Sequence, residues 1–516
     1  MSASDTIELR QRSKSDYNVE HATKTDENHL QDQSGYAPEV NLLRNRSLYT
    51  LLFQSLAIAA VPYGEGSPLI SAIYGGGQLS IFLGWIIVCI LYQCVAMSIA
   101  EMASRYPSSS GPSYWSHQLA QSHKDIASYA TGWSWLVGCA SGTLSVNFGF
   151  ASLVSACITL YHPEFTASSW QLLLIFYAIT ISTFVICCFL NRFLPHVDTF
   201  CAGFTTVTIF VCLIALSVKA DVGRHSAADA LGAYTTSLSG YGGFTWFTGL
   251  LPVAYTFSAV GMITSMAEET KDAEIKLPKA VSLAVPIAGI AGLFFILPIC
   301  ATLPPLQEII DNESGGQALP YIFARVMGSP GGGVALTTLV LVIACFNSVS
   351  ITVATSRTTW AFARDQALPG SKWLARVHPS LGVPIWSLAL LTIVQLLLGI
   401  INTGSSSAFT AFAAVGVVAH SLAYAVPITI SMMNRRSEVD KASWKLSPSV
   451  GWTVNIVALA WSIFQTVLFC MPTSLPVTAT SMNYASVVLV GFGAISMAYY
   501  YSYAHAHYRG SPEVLR

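Results

Sequence analysis

Pro62-Tyr63-Gly64-Glu65-Gly66-Ser67-Pro68 lies inside an apolar run that extends from about residue 48 to about residue 74. The run is long enough to cross a bilayer core, which takes about 20 helical residues. Two prolines and two glycines within seven positions cannot continue a regular helix. Irregular backbone at membrane depth is tolerated only where protein buries it or where it lines a polar cavity. A loop between two short spans would put Glu65 in water, but Leu69 to Tyr74 is then too short to span anything. The stretch reads as a broken transmembrane helix with an acid at its break.

The rest of the chain agrees with a life in lipid. Of 516 residues, 53% are hydrophobic and only 10% charged, with a mean hydropathy of +0.55; soluble domains carry about 25% charged residues. Apolar runs fall at 48–74, 78–100, 126–160, 170–190, 198–218 and 244–266, then at 279–303, 332–358, 383–401, 408–433, 451–471 and 483–503. The expected fold is therefore an all-α polytopic membrane protein with about twelve transmembrane helices. Residues 1–46 are polar with charges of both signs, which predicts disorder, and 504–516 form a short tail. No secretory signal opens the chain. All 11 cysteines fall in apolar runs without a CxxC pair and read as free thiols. The net charge of −1, with no basic block, excludes a nucleic-acid partner. No cofactor or metal site is expected; His505 and His507 make only an isolated HxH.

Placing the N-terminus inside leaves only Lys219, Arg224 and Arg325 of the 25 lysines and arginines outside. That is the bias of the positive-inside rule, so both termini are expected in the cytoplasm. The same census leaves Glu65 as the acid well inside a span, whereas others such as Glu101 and Asp198 sit at span ends. A second interrupted segment is expected in 244–266, where Pro252 precedes the small and hydroxylated stretch Ala254-Tyr255-Thr256-Phe257-Ser258-Ala259-Val260-Gly261. Interrupted spans in corresponding positions of two halves point to a transporter's binding site, with freed half-helix ends aimed at a ligand.

Several motifs carry a family likeness. Ile99-Ala100-Glu101-Met102-Ala103-Ser104-Arg105-Tyr106-Pro107 through Gly111-Pro112-Ser113-Tyr114-Trp115 resembles the motif after the second span of amino acid–polyamine–organocation permeases. Glu268-Glu269-Thr270-Lys271-Asp272 with Leu277-Pro278-Lys279-Ala280 is similar to their motif after the sixth span. Ser356-Arg357-Thr358 through Ala361-Phe362-Ala363-Arg364-Asp365 and Leu368-Pro369 looks like the one after the eighth. Met471-Pro472 to Leu475-Pro476-Val477-Thr478 and Met482-Asn483-Tyr484 resemble the fungal amino acid/choline branch. The likeness covers about residues 45–503. It implies a five-plus-five inverted repeat with spans 1 and 6 broken, two extra helices, and alternating access around a midplane site. The acid in the first break departs from the plain Gly-rich break of many relatives. The fifth span also lacks the lysine that some proton-coupled relatives place there.

The expected function is secondary active transport of a small amine-bearing solute, such as an amino acid, choline or a related amine, coupled to protons. A dedicated carrier for an alkaloid pathway or its precursor and a non-transporting nutrient sensor remain open alternatives; an enzyme is not expected. Candidate substrate-binding residues are Tyr63, Gly64, Glu65, Gly66, Ser67, Tyr255, Thr256, Phe257, Ser258, Asn147 and Asn347. Glu65 is also the candidate carrier of the coupling proton, because a lone acid at this depth is paired, hydrated or functional. Aromatic faces can hold a desolvated cation or simply pack. Asn147, Asn347, Ser348 and Ser350 can bind ligand or bond between helices, and His420 can relay protons or be structural. Glu101 with Arg105, and Glu268 and Glu269 with Arg357 or Arg364, are candidate cytoplasmic gate pairs. Asn312-Glu313-Ser314 is a glycosylation sequon in an outside loop. The plasma membrane is the expected location, with a vacuolar or other internal membrane as the alternative.

Overall fold

The computed structural model describes residues 46–403, 408–478 and 482–510, so the segment expected to be disordered lies, Arg46 apart, outside the described residues. Among these residues, ten helices are long and apolar enough to cross a membrane. Two more segments complete the pattern of apolar runs. One is span 1, broken into Leu48–Ala59, Val61–Gly66 and Leu69–Tyr74. The other is span 9, the 15-residue helix Ile385–Gly399.

The unbroken spans are Gln78–Arg105 (span 2), Lys124–Tyr161 (3), Ser169–Phe189 (4), Leu194–Lys219 (5), Ala273–Ala301 (7) and Pro330–Arg364 (8). Spans 10 to 12 are Ala408–Met433, Pro448–Leu468 and Ala485–Tyr499. Span 6 is composite: Thr245–Thr248, Leu251–Ser258 and the 3-10 stretch Val260–Glu269. Spans 4, 5 and 12 expose large apolar side chains such as Leu174, Phe189, Val207, Ile214 and Val490, as helices facing lipid do. Span 6 is buried along nearly its whole length.

Packing follows a two-half plan. Spans 1 and 6, 2 and 7, 3 and 8, and 4 and 9 touch within each pair. Many of the other contacts occur in matched sets: 3 with 10 and 8 with 5, 1 with 5 and 6 with 10, 1 with 7 and 6 with 2, 3 with 4 and 8 with 9. Exchanging each span with the one five places on maps these pairs onto one another. Because five crossings separate the halves, the second enters from the opposite side, which makes the repeat inverted. Spans 11 and 12 lie outside this scheme and both pack on span 10. After span 12 the chain turns back: Tyr508 is fully buried, its hydroxyl 2.6 Å from that of Ser128 at the start of span 3.

Candidate functional site

Local chemistry sets the first hinge. Ser47 and Thr50 form a capping box, so span 1 begins directly after Arg46. The helix runs to Ala59 and stops at Ala60, whose φ of 42° and ψ of 51° are left-handed, a conformation costing a non-glycine residue about 1–2 kcal/mol. Pro62 does not interrupt a helix. It stands in the first turn of Val61–Gly66, where a missing N–H is harmless. The interruptions therefore flank the quoted motif, at Ala60 and at Ser67–Pro68, and a short helix lies between them.

Span 6 behaves alike. Pro252 again opens a helix, Leu251–Ser258, and the unwinding expected around Pro252 and the stretch after it occurs at Ala259, within that stretch. From there ten residues run as a 3-10 helix; such runs seldom exceed three or four residues and mark hinges. The two short helices meet at Gly64, where an added Cβ would lie 2.7 Å from Thr256 Oγ1 and 2.8 Å from the Ala59 carbonyl. A small pocket beside this contact is lined by Ser55, Ile58, Ala59, Thr256, Phe257 and Val285.

The candidate residues divide by face. Tyr63 donates its hydroxyl to the Val146 carbonyl on span 3 (2.7 Å), and the Tyr255 hydroxyl lies 3.0 Å from Ser145 Oγ. Asn347 on span 8 is buried with a side-chain oxygen that has no partner among the described residues. Other candidates turn elsewhere. Thr256 and Ser258 bond back to the Pro252 and Tyr255 carbonyls of their own helix. Phe257 packs on Trp85 and Tyr92 of span 2, with ring centres 5.4 and 6.3 Å away. Gly66 abuts Leu319, and Ser67 accepts a bond from Gln317, both in the segment between spans 7 and 8. Asn147 donates to Gln395 (2.8 Å) and accepts from Ser348, which also meets Thr183. Both ends of that amide are used, so Asn147 ties spans 3, 4, 8 and 9 and does not face the break. His420 packs against Trp135 and Tyr424, and neither ring nitrogen has a partner among the described residues.

The span ends expected in the cytoplasm carry buried charge. Glu269 binds Arg357 with one carboxylate oxygen (3.1 Å) and Arg46 with the other (3.2 Å). Arg46 also reaches Gln54 (2.7 Å) and lies 3.7 Å from Asp198, which accepts from Ser350. Arg357 donates to Asn191 as well. Spans 1, 5, 6 and 8 are thereby fastened together. Beside them Arg364 pairs with Glu268 (2.7 Å). The expected pairs of Glu268 and Glu269 with Arg364 and Arg357 thus form, but the pair Glu101–Arg105 does not. Glu101 instead binds Arg436 (2.9 Å) and the Leu446 N–H, while Arg105 binds Glu438 (3.1 Å). Four residues apart on one helix, the two side chains reach partners in the loop between spans 10 and 11. Hydrogen bonds from Lys441 and Arg105 hold the Glu438 carboxyl down at about 2, below the usual carboxylate range.

Arg46, Asp198, Asn191 and Arg436 escaped the sequence reading. One signal was available for Arg46: the Ser47-to-Thr50 cap fixes the helix start and leaves this arginine at the membrane boundary. Among the described residues, no group of three or more His, Cys, Asp or Glu side chains is placed to hold a metal.

Two hinged half-helices thus lie side by side, with buried ion pairs at one end of the bundle. A family model described as amino acid permease matches residues 49–492. An uncharacterised amino-acid permease of Schizosaccharomyces pombe is 30% identical, covering 86% of this chain and 81% of its own. The choline transporter of Saccharomyces cerevisiae is 27% identical (90% and 82%), and the GABA-specific permease of the same yeast is 26% identical (95% and 87%). The chain belongs to the amino acid permease family: it is a multi-pass membrane permease of the amino acid–polyamine–organocation superfamily, not an enzyme.

Proposed function

We propose that this permease is a proton-coupled secondary transporter whose cargo is a small amine-bearing solute, an amino acid, choline or a close relative. The observation that carries this reading is the meeting of the two hinged half-helices at Gly64 and Thr256, with Tyr63 and Tyr255 on them and span 8, which carries the buried Asn347, packed on Val61–Gly66. Aromatic faces beside an unpaired amide oxygen suit an ammonium group, each desolvated cation–aromatic contact contributing about 0.5–2 kcal/mol. The similarity to proteins named for choline and GABA supports the same class.

In this structure Val61–Gly66 and Leu251–Ser258 are buried throughout, so the conformation is closed around the break. Alternating access then consists of span 1 and span 6 rocking about Ala60 and Ala259 to open one side at a time. The charge census supports both termini in the cytoplasm, and the plasma membrane is the proposed site of action.

The test is uptake by purified protein in proteoliposomes, offered amino acids, choline and cyclic amines at two pH values. The expected result is saturable accumulation of one amine class, stronger with an inward proton gradient. Binding without accumulation would make the protein a sensor, and preference for an anionic solute would overturn the cargo class. Sidedness has its own check. Asn312 is exposed at the end of Leu306–Asn312, on the face this topology puts outside. Glycosidase treatment is expected to increase the mobility of the wild type and leave Asn312→Gln unchanged.

A further inference from the structure

We infer that Glu65 is a proton-binding site set apart from the cargo face, so that proton and cargo are coupled through the hinge of span 1 and not by sharing one pocket; this rests on the transport reading above. At about 100° per residue, Glu65 stands roughly 200° round the helix from Tyr63. Tyr63 points at span 3. Glu65 lies close enough to Cys89 of span 2 and Cys300 of span 7 to interact with them electrostatically. It is 1% exposed, and among the described residues neither carboxyl oxygen has a hydrogen-bond partner.

No cation meets it. Spans 5, 6, 7 and 8 pack on Val61–Gly66. Span 6 brings Tyr255, whose hydroxyl is turned to Ser145. The charged residues of span 8 (Arg357, Arg364), and Glu274, Lys276 and Lys279 of span 7, all lie toward the cytoplasmic ends, as does Asp198 of span 5. Lys219 closes the far end of span 5. Cys89 and Cys300 are the titratable groups facing the acid, and neither is a base.

An ionised carboxylate buried from bulk solvent without a protein partner is strongly disfavoured in such surroundings. In this closed conformation Glu65 therefore holds its proton. It gives the proton up only when water reaches it, and that requires Val61–Gly66 to move about Ala60 and Ser67. Proton binding favours closure, and closure favours proton binding, by the reciprocity of linkage. One proton enters from the water on one side, is carried as the neutral acid, and leaves to the water on the other. Cargo occupies the opposite face of the same half-helix, and feels the proton through the hinge.

Glu65→Gln fixes the neutral form and tests this directly. In proteoliposomes the variant is expected to bind cargo within about twofold of wild type and to retain counterflow exchange, while gradient-driven accumulation falls at least about tenfold and cargo-induced proton movement disappears. Glu65→Asp, which can still hold a proton, is expected to keep part of the accumulation. Loss of cargo binding in Glu65→Gln, with counterflow lost too, would make Glu65 a cargo ligand and overturn the separation. Wild-type accumulation by Glu65→Gln would remove the proton site. Both outcomes leave the transport reading standing, whereas a wild type that moves no amine overturns that reading itself.

Discussion

Glu269→Gln is expected to abolish most uptake and to hold the transporter open to the cytoplasm. The Glu269 carboxylate is the shared partner of Arg46 and Arg357, both only 2–3% exposed. Taking its charge away leaves two buried guanidinium groups with Asp198, 3.7 Å from Arg46, as the nearest compensation. Breaking a buried ion pair by removing one partner costs about 3–5 kcal/mol. The protein can avoid that penalty by letting Arg46 and the start of span 1 move into cytoplasmic water, which is the inward-open state. Uptake should fall at least about tenfold, because a gate that no longer closes interrupts the cycle. Ser55 lines the pocket at the hinge. A Ser55→Cys reporter, in a background without reactive native cysteines, should be labelled faster from the cytoplasmic side in Glu269→Gln. Adding Arg46→Gln should recover part of the lost stability, since it removes one of the two buried guanidinium charges that Glu269 had paired. Wild-type labelling and uptake in Glu269→Gln would show that the pair is not a gate.

The contrast between Glu269 and Glu101 shows where sequence reading stops. That the chain is a bundle of apolar helices with breaks in spans 1 and 6 was legible, because hydropathy, prolines and glycines are local. The exact hinge residues were less so. Prolines advertise that a helix cannot pass through them, yet Pro62 and Pro252 both open helices, and the backbone departs at Ala60 and Ala259, which carry no signal of their own. Pairing partners were half legible. Glu268 and Glu269 met the expected arginines because both motifs lie where spans 6 and 8 end on the same side. Glu101 and Arg105 looked like a helix-surface pair one turn apart, but burial sends each to the loop after span 10.

The candidate site shows the same division. A membrane helix of small and polar residues says that something approaches closely, not which face it presents. Tyr63, Glu65, Tyr255 and Phe257 came from the two breaks as one group. Three-dimensional packing splits them, with Tyr63 and Tyr255 toward span 3 and Phe257 toward span 2. Asn147 stayed open between a ligand contact and an interhelical bond because its partners Gln395 and Ser348 lie up to 248 positions away in the sequence.

Gly75→Ala is expected to stop transport from the opposite end. At the outer end of span 1, a Cβ on Gly75 would lie 2.3 Å from Gly249 Cα and 2.6 Å from Gly249 N. The obstruction is backbone, so no side chain can rotate away. Neither glycine has a positive φ; the values are −71° and −82°, so the requirement is close approach and not conformation. Ser80 Oγ donates to the Gly75 carbonyl at 2.6 Å and lies 3.2 Å from the Trp246 carbonyl, which ties the two strands of backbone together. If the proposed cycle holds, this contact is the outer counterpart of the Glu269 cluster at the other end of spans 1 and 6. Overpacking at such a site costs about 1–3 kcal/mol, enough to lower the closed population about five- to 150-fold. The protein should then rest open to the outside, and the Ser55→Cys reporter should be labelled more slowly from the cytoplasm, opposite to Glu269→Gln. Combining the two substitutions separates gating from general damage. If each weakens only its own gate, the double variant should label near the wild-type rate while still failing to transport. Labelling of Gly75→Ala that matches or exceeds Glu269→Gln would mean the glycine contact packs the bundle without sealing it.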